Sequence, residues 1–255
     1  MGVDFVPLRP GPICEAFAEA TPEIVAPPDV THAAPAARNA APAAAAPVRK
    51  PTPTSADRTA AQAQLDAIRA RYEADAPHKR FVTDHTNIVF GEGDPCARLM
   101  FIGEAPGAEE DRLGRPFVGK AGKLLDDMIV AMGLKREEVY IANVLKTRPP
   151  NNATPTHEEA RLCAPYLFDQ IRVIKPEVIV TLGLPATHLL LDTTEAMARL
   201  RSRWAVFTDP DGRDVPVMPT YHPAFILRAY TKENRQKVWS DLKMVMEVLG
   251  LPSRP

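Results

Sequence analysis

The chain has 255 residues, 45% of them hydrophobic, and a formal net charge of −1 at pH 7. This length suits one domain with an accessory segment, and the hydrophobic fraction is sufficient for a sizeable core. The near-neutral charge excludes a uniformly basic nucleic-acid coat, and the longest apolar runs are too short for a bilayer, which takes about 20 residues.

Residues 1–55 differ from the rest of the chain because Ala and Pro dominate them, with residues 33–47 almost purely of these two types. Proline blocks regular helix and the segment has little apolar surface to bury, so we predict a disordered or polyproline-like tail. An inert tether is the simpler interpretation of this tail, and a segment that helps to engage DNA or a partner is the alternative. The folded domain is expected to occupy residues 56–255.

From residue 55 onward, helical and strand patterns alternate along the chain. Ser55 or Asp57 can cap a first helix, which ends near Pro77. Further helices are predicted over residues 121–132, 156–174 and 232–249, with a short one beginning near Pro185. Strands are predicted over residues 99–102, 139–141 and 178–182, and a hairpin over 204–207 and 215–218, while residues 91–95 are predicted to be a loop. The alternation predicts a three-layer α/β/α fold around a central four-stranded, mainly parallel sheet.

Four short motifs follow the carboxyl ends of the predicted strands, which is where ligands of parallel α/β sheets bind. They are Gly103-Glu104-Ala105-Pro106-Gly107, then Asn143, then Gly183, and finally His222-Pro223. Each motif alone is typical of a turn, a cap or a surface loop. Together, a carboxylate, a carboxamide and an imidazole on one rim could recognise a planar heterocycle and stabilise charge that develops on it.

The motifs, taken in order over about residues 87–249, strongly resemble family 4 of the uracil-DNA glycosylase superfamily. The segments that carry the similarity are residues 101–107, 109–111, 114–119, 139–146, 148–150, 220–224 and 227–228. The resemblance implies a monofunctional enzyme that hydrolyses the N-glycosidic bond of uracil in DNA and leaves an abasic site. Because a base inside a duplex is unreachable, the nucleotide must be flipped out or presented in a single strand.

The resemblance also implies roles for individual residues around the base. Phe117 would stack on the uracil face; a core position is the alternative, but the flanking Pro116 and Gly119 indicate a loop, which favours the pocket. Asn143 offers one acceptor and one donor, which match N3–H and O4 of uracil and mismatch cytosine. His222 would donate to O2 as negative charge spreads onto the leaving base, and such a donor is worth about 3–4 kcal/mol by analogy with oxyanion holes.

The remaining predicted pocket residues come from the loop after the first strand of the parallel sheet. Glu104 and Glu110 are the acidic candidates near the sugar and the base, and Glu110 would crowd the C5 edge and exclude thymine. Gly103, Ala105 and Gly107 would line the pocket. Ala105 stands where the wider superfamily carries the residue that orients the attacking water, so an oxocarbenium-like pathway with a merely positioned water is expected.

Contacts with the DNA backbone are predicted from basic residues near these motifs. The predicted phosphate contacts are Lys120, Lys123, Lys146 and Arg148. Ile226 and Arg228, just beyond His222, stand where the family places its wedge into the base stack. A helix face with one buried residue is the alternative interpretation of these two positions.

The sequence departs from the family at its four-cysteine iron–sulfur cluster. The resemblance places two ligands in a CxxC pair before residue 87, a third at Thr147 and a fourth at Cys163, yet residues 73–87 contain no cysteine. The other two cysteines, Cys14 and Cys96, stand elsewhere in the chain. Because such clusters need thiolate ligands, typically four, we predict no cluster and no other cofactor.

Two rival functions remain open beside uracil excision. One is a binder of uracil-containing, abasic or single-stranded DNA, although a pure binder does not need the full set of Glu104, Phe117, Asn143 and His222. The other is a glycosylase for other deaminated bases such as hypoxanthine. The chain begins without a secretory pattern and its cysteines are unpaired in sequence, so we expect a cytoplasmic monomer whose partner is uracil-containing DNA, with no membrane attachment.

Overall fold

The computed structural model describes residues 52–252. Most of the predicted tail therefore lies outside the described residues. The first helix, α1 (Ser55–Asp75), is capped by Thr54, one residue before the predicted Ser55. The Thr54 hydroxyl accepts from the Asp57 N–H at 3.2 Å, and the Asp57 carboxylate accepts from the Thr54 N–H at 2.8 Å. This reciprocal capping box fixes the start of the helix.

Among the described residues, the sheet has six strands rather than the predicted four. The strands are β1 (Glu92–Gly93), β2 (Leu99–Gly103), β3 (Tyr140–Asn143), β4 (Val178–Leu182), β5 (Ala205–Thr208) and β6 (Asp214–Thr220). Their order is β1-β3-β2-β4-β6-β5, and the four inner strands are parallel while both edge strands are antiparallel. The prediction was therefore right for the parallel centre and for the hairpin of β5 and β6, and it missed the edge strand β1, which has two residues in a glycine-rich segment that was predicted to be a loop.

Seven more helices surround the sheet within the described residues. They are α2 (Ala108–Leu113), α3 (Lys120–Ala131), α4 (His157–Ile174), α5 (Leu184–Leu191), α6 (Met197–Leu200), α7 (Pro223–Arg228) and α8 (Lys232–Leu249). Short 3₁₀ turns occur at Pro77–Arg80, Arg136–Glu138 and Pro150–Asn152. None of the helices between residues 52 and 252 combines the length and apolar character that crossing a membrane requires.

Two hydrophobic cores, one on each face of the sheet, confirm the three-layer architecture. Successive residues of β2 alternate between them, with Met100 and Ile102 in one core and Leu99 and Phe101 in the other. Helices α1, α4 and α5 supply the first core, and α3, α7 and α8 supply the second. All five residues of β2 are buried, as expected of a strand covered on both faces.

Candidate active site

The carboxyl ends of the parallel strands meet at a cavity of about 330 Å³. Eight of the predicted site residues line it: Glu104, Ala105, Gly107, Glu110, Phe117, Asn143, His222 and Arg228. Gly103 lies directly behind this wall, because a Cβ added there would be 2.4 Å from Asn143 Oδ1 and 2.5 Å from Phe117 Cζ. The topology of the parallel sheet thus brings together residues that are more than one hundred positions apart in the chain.

His222 is held in one tautomer by the helix that follows it. Its Nδ1 accepts a hydrogen bond of 3.1 Å from the Ala224 N–H at the start of α7. Burial lowers the pKa of His222 to about 4, with Arg228 acting in the same direction and Glu110 opposing. At neutral pH the ring is therefore uncharged and carries its proton on Nε2, where it can donate to a ligand.

Phe117 forms a wall of the cavity beside His222, with the ring centroids 5.5 Å apart and the planes tilted by 31°. Its φ of +50° is unusual for a bulky residue and is typical of a functional site that stores backbone strain. Gly122 permits this conformation, since a Cβ at Gly122 would lie 2.0 Å from the Phe117 carbonyl oxygen. The ring also packs in the core beneath the cavity, so Phe117 is both a core residue and a cavity wall, and its stacking on uracil stays a prediction.

Asn143 ends β3 opposite Gly103, and its side chain is buried against the cavity. Its Oδ1 atom accepts no hydrogen bond from the part of the chain that the structure describes. Buried polar atoms without a partner are rare in folded proteins, and they are often functional. A ligand with an N–H group in the cavity would satisfy this acceptor.

Lys146 does not contact the DNA backbone, so the prediction for this residue was wrong. Its side chain is completely buried, and Nζ donates to the Asn143 carbonyl oxygen at 2.8 Å and to Gln170 Oε1 at 2.6 Å. After the end of β3 the chain turns into the protein, and Lys146 is buried for that reason. The spacing of the motif does not indicate which way the chain turns.

Glu110 joins two loops of the site through its carboxylate. One oxygen accepts from the Gly107 N–H at 3.1 Å, and the other accepts from the Val118 and Gly119 N–H groups at 2.9 and 2.8 Å. These bonds link the loop after β2 to the N-terminus of α3. The exclusion of thymine by Glu110 stays a prediction, while the geometry assigns the side chain a loop-bridging role.

Glu104 lies on the side of the cavity that faces the segment after Pro150–Asn152. Burial raises the pKa of Glu104, and the Thr154 hydroxyl and Arg228 oppose this shift. Asn152, Ala153 and Thr154 line the cavity although they were not predicted to, and the proline- and asparagine-rich loop was their only signal in the sequence. Arg148, a predicted phosphate contact, donates to Asn152 Oδ1 at 2.8 Å and so supports this loop.

The short helix α7 changes the prediction for the wedge. Ile226 is completely buried in the core, so it cannot enter a base stack, and that prediction was wrong. The alternative, a helix face with one buried residue, is the observed arrangement. The neighbouring apolar side chains Phe225 and Leu227 are 36% and 39% exposed, and Arg228 is exposed at the rim of the cavity.

Two of the predicted phosphate contacts, Lys120 and Lys123, are exposed in the first turn of α3. Of the two residues between them, Ala121 lines the cavity. Both lysines thus stand near the mouth of the site, at the N-terminus of a helix, where the helix dipole favours anions.

The residues at the family's cluster position do not fit an iron–sulfur cluster. Thr147 and Cys163 are both completely buried there, and a threonine hydroxyl does not replace a thiolate ligand. Tyr72 fills neighbouring space, stacked on His78 at 5.5 Å between ring centroids. Within residues 52–252, no group of three His, Cys, Asp or Glu side chains is arranged to hold a metal ion.

Comparisons with known proteins agree with this geometry. The family model of the Uracil DNA glycosylase superfamily matches residues 90–243. The chain is 43% identical to the type-4 uracil-DNA glycosylase of Thermotoga maritima over 164 residues, which span 63% of this chain and 82% of the relative. It is 44% identical to the type-4 enzyme of Sulfurisphaera tokodaii over 66% of this chain and 78% of the relative. The type-4 enzyme of Archaeoglobus fulgidus is 43% identical over 65% of this chain and 83% of its own length.

Proposed function

The chain belongs to the uracil DNA glycosylase superfamily, and we propose that it removes uracil from DNA by hydrolysing the N-glycosidic bond, leaving an abasic site for repair. The observation that carries the proposal is a complementary pair in one cavity. Asn143 presents a buried acceptor without a partner among the described residues, and His222 presents a neutral Nε2–H donor. Uracil carries both matching groups, N3–H and the carbonyl oxygens.

In this mechanism, the flipped uracil stacks against Phe117 and is read on its hydrogen-bonding edge by Asn143. The amide accepts from N3–H and donates to O4, which a cytosine cannot match. As the glycosidic bond breaks, negative charge develops on the base, and His222 Nε2–H donates to O2. A neutral donor serves this purpose without a proton transfer, and its loss typically costs about 3–4 kcal/mol in barrier height.

Glu104 is assigned to the sugar side of the cavity. The Glu110 oxygens are occupied by three backbone N–H groups, whereas Glu104 lies against the Thr154 loop. Its carboxylate would stabilise the oxocarbenium-like sugar and orient the attacking water. Ala105 supplies no acidic group, so the pathway relies on a positioned water rather than on a strong base.

Lys120, Lys123 and Arg228 are proposed to hold the DNA phosphates, since all three are exposed near the cavity mouth. Phe225 and Leu227 replace Ile226 as candidates for the wedge, because they are the exposed apolar residues of α7. That the protein acts as a monomer in the cytoplasm stays a prediction, which size-exclusion chromatography and cell fractionation would test.

The enzyme is further proposed to work without an iron–sulfur cluster. Its support is chemical: Thr147 stands at one ligand position, and Cys163 is the one cysteine in place. Iron analysis and the visible absorbance spectrum of the purified protein test this proposal. Stoichiometric iron would overturn it.

The decisive assay uses single- and double-stranded oligonucleotides that carry one uracil, followed by alkaline cleavage at abasic sites. The wild-type protein is expected to cause strand scission, and His222→Ala and Asn143→Ala each to slow it by about 100-fold or more. A gel shift without scission would establish the DNA binder instead. Faster release of hypoxanthine than of uracil would establish the glycosylase of altered specificity.

A further inference from the structure

The buried Lys146 contacts the main chain of the residue assigned to read the base. We infer that Lys146 is a positioning residue, whose hydrogen bond to the Asn143 carbonyl oxygen sets the orientation in which Asn143 meets the uracil. The inference rests on the proposed function of the cavity. It assigns a role to a side chain that neither touches the cavity nor reaches solvent.

Strand β3 ends at Asn143. Because the regular sheet stops there, the orientation of Asn143 depends on the contacts of the residues that follow it. The next two residues are fixed by the loop after β2, since the Val144 N–H donates to the Gly103 carbonyl at 3.0 Å and the Leu145 N–H to the Glu104 carbonyl at 3.1 Å. Lys146 Nζ then reaches back to the Asn143 carbonyl at 2.8 Å. The peptide that carries the base-reading side chain is thus held from both directions.

Gln170 anchors the lysine in turn. Its Oε1 accepts from Lys146 Nζ at 2.6 Å, and its Nε2 donates to the Phe90 carbonyl at 3.0 Å and to the Tyr140 hydroxyl at 3.4 Å. The network therefore ties helix α4 to both ends of β3 and to the segment before β1. The site of base recognition is connected by hydrogen bonds to the layer that packs behind it.

A purely space-filling role does not explain a lysine at this position. Both hydrogen-bond partners of Nζ are neutral oxygens, and burial lowers the pKa of Lys146 to about 7, with the Cys163 thiol opposing the shift. Burying an ammonium group without a carboxylate is costly, and an apolar chain of similar length would fill the same space without that cost. What the lysine adds over an apolar side chain is a hydrogen-bond donor. Even a neutral amine has two N–H groups, which is enough for the two acceptors, the Asn143 carbonyl oxygen and Gln170 Oε1.

A double-mutant cycle tests the inference on the full chain. Lys146→Met removes the donor, and we expect it to lower kcat/KM for a uracil oligonucleotide by about 10-fold, which corresponds to about 1.4 kcal/mol. If the lysine acts through Asn143, then Lys146→Met combined with Asn143→Ala will be no slower than Asn143→Ala alone. Thr147→Val is the matched control, because it alters the neighbouring, equally buried residue and should leave kcat/KM unchanged.

A second variant keeps the test valid if Lys146→Met folds poorly. Lys146→Met with Gln170→Met removes both the donor and its side-chain acceptor, so that Gln170 Oε1 is not left buried and unsatisfied, while the Phe90 carbonyl and the Tyr140 hydroxyl lose the Gln170 Nε2 donor. It should fold and show the same loss of kcat/KM. Losses that add in the cycle, or a Lys146→Met enzyme as fast as wild type, would overturn the inference. A wild-type protein that releases no uracil would instead refute the proposed function.

Discussion

The His222 ring shows how a single backbone contact determines the chemistry of a residue. The Ala224 N–H can only donate, so Nδ1 must accept and the mobile proton must sit on Nε2. Had the contact been to a carbonyl oxygen, the ring would have presented an acceptor to the cavity. The start of α7 thus determines that His222 presents an N–H donor to the cavity.

We predict that His222 stays neutral well into the acidic range. Burial lowers its pKa from the ordinary 6.5 to about 4, so between these values the unfolded chain binds the proton more readily than the folded protein. The stability that the neutral ring contributes is therefore complete above about pH 6.5 and is lost as the pH falls towards 4. Nitrogen-15 NMR of histidine-labelled protein should show a neutral Nε2–H tautomer at pH 6, and an imidazolium signal at that pH would contradict the assignment.

Gly103 should tolerate no side chain, because a Cβ there would lie 2.4 Å from Asn143 Oδ1 and 2.5 Å from Phe117 Cζ. We expect Gly103→Ala to reduce uracil release by about 100-fold, since displacements of about 1 Å have effects of this size on catalysis. Gly133→Ala is the control: its φ of +84° makes the substitution strained, but nothing lies within 4 Å of the added Cβ. Because Gly103 has no positive φ, equal activity losses in the two variants would show that general destabilisation, and not a clash in the site, is responsible.

Some residues of the site could be predicted from the sequence, and others could not. Asn143 and His222 stand at the carboxyl ends of strands in a parallel sheet. Residues at these ends lie at the edge of the sheet where ligands bind, and this does not depend on the details of packing. Lys146 and Ile226 stand within four residues of them, but their exposure depends on where the chain turns next. Motif spacing gives the distance along the chain, while burial depends on the neighbouring elements.

At the scale of elements, the Glu110 carboxylate joins the loop after β2 to the first turn of α3. Glu110→Gln replaces one acceptor oxygen by an NH₂ group, which then faces a backbone N–H. We expect a loss of about 1–3 kcal/mol in unfolding free energy, as for other buried donors left without a partner, together with slower uracil release. Chemical denaturation and the excision assay measure the two effects.

Glu109→Gln provides the matched control for Glu110→Gln. Glu109 is exposed and pairs with Arg112 three residues later on the surface of α2. Surface pairs of this kind contribute little, so neither stability nor activity should change measurably. If Glu110→Gln left stability and activity as unchanged as Glu109→Gln does, the Glu110 carboxylate would not have the proposed bridging role.

The length of an element decided how well it could be predicted. Helices α1, α4 and α8 each span at least 18 residues, so their apolar periodicity is repeated over several turns. Helices α2 and α7 have six residues each, too few for a periodic signal: α2 was not predicted, and α7 entered only as the alternative interpretation of Ile226 and Arg228. Yet α2 supplies Glu110 and α7 follows His222, so the least predictable elements shape the site most directly.

At the scale of the whole molecule, Tyr72 packs against Thr147 and Cys163, two of the positions at which the resemblance places cluster ligands. Helix α1 packs on α4, and Tyr72 of α1 makes an edge contact with Tyr166 of α4 at 5.0 Å between ring centroids. Tyr72 also stacks on His78 in the turn after α1. Aromatic contacts thus connect α1, α4 and the turn after α1, and none of these three aromatic residues lines the cavity.

Stability and activity should therefore separate in this region. The buried Tyr72 hydroxyl lies against the Thr147 hydroxyl and the Cys163 thiol, but neither hydroxyl oxygen makes a hydrogen bond of good geometry among the described residues, so each recovers little of its desolvation cost. Tyr72→Phe combined with Thr147→Val keeps the packing and removes both oxygens. We expect the urea midpoint to rise, by about 1 kcal/mol or more in unfolding free energy, with kcat/KM for uracil release unchanged. A lower midpoint would mean that these hydroxyls are satisfied in solution, and a loss of activity would couple the former ligand region to catalysis.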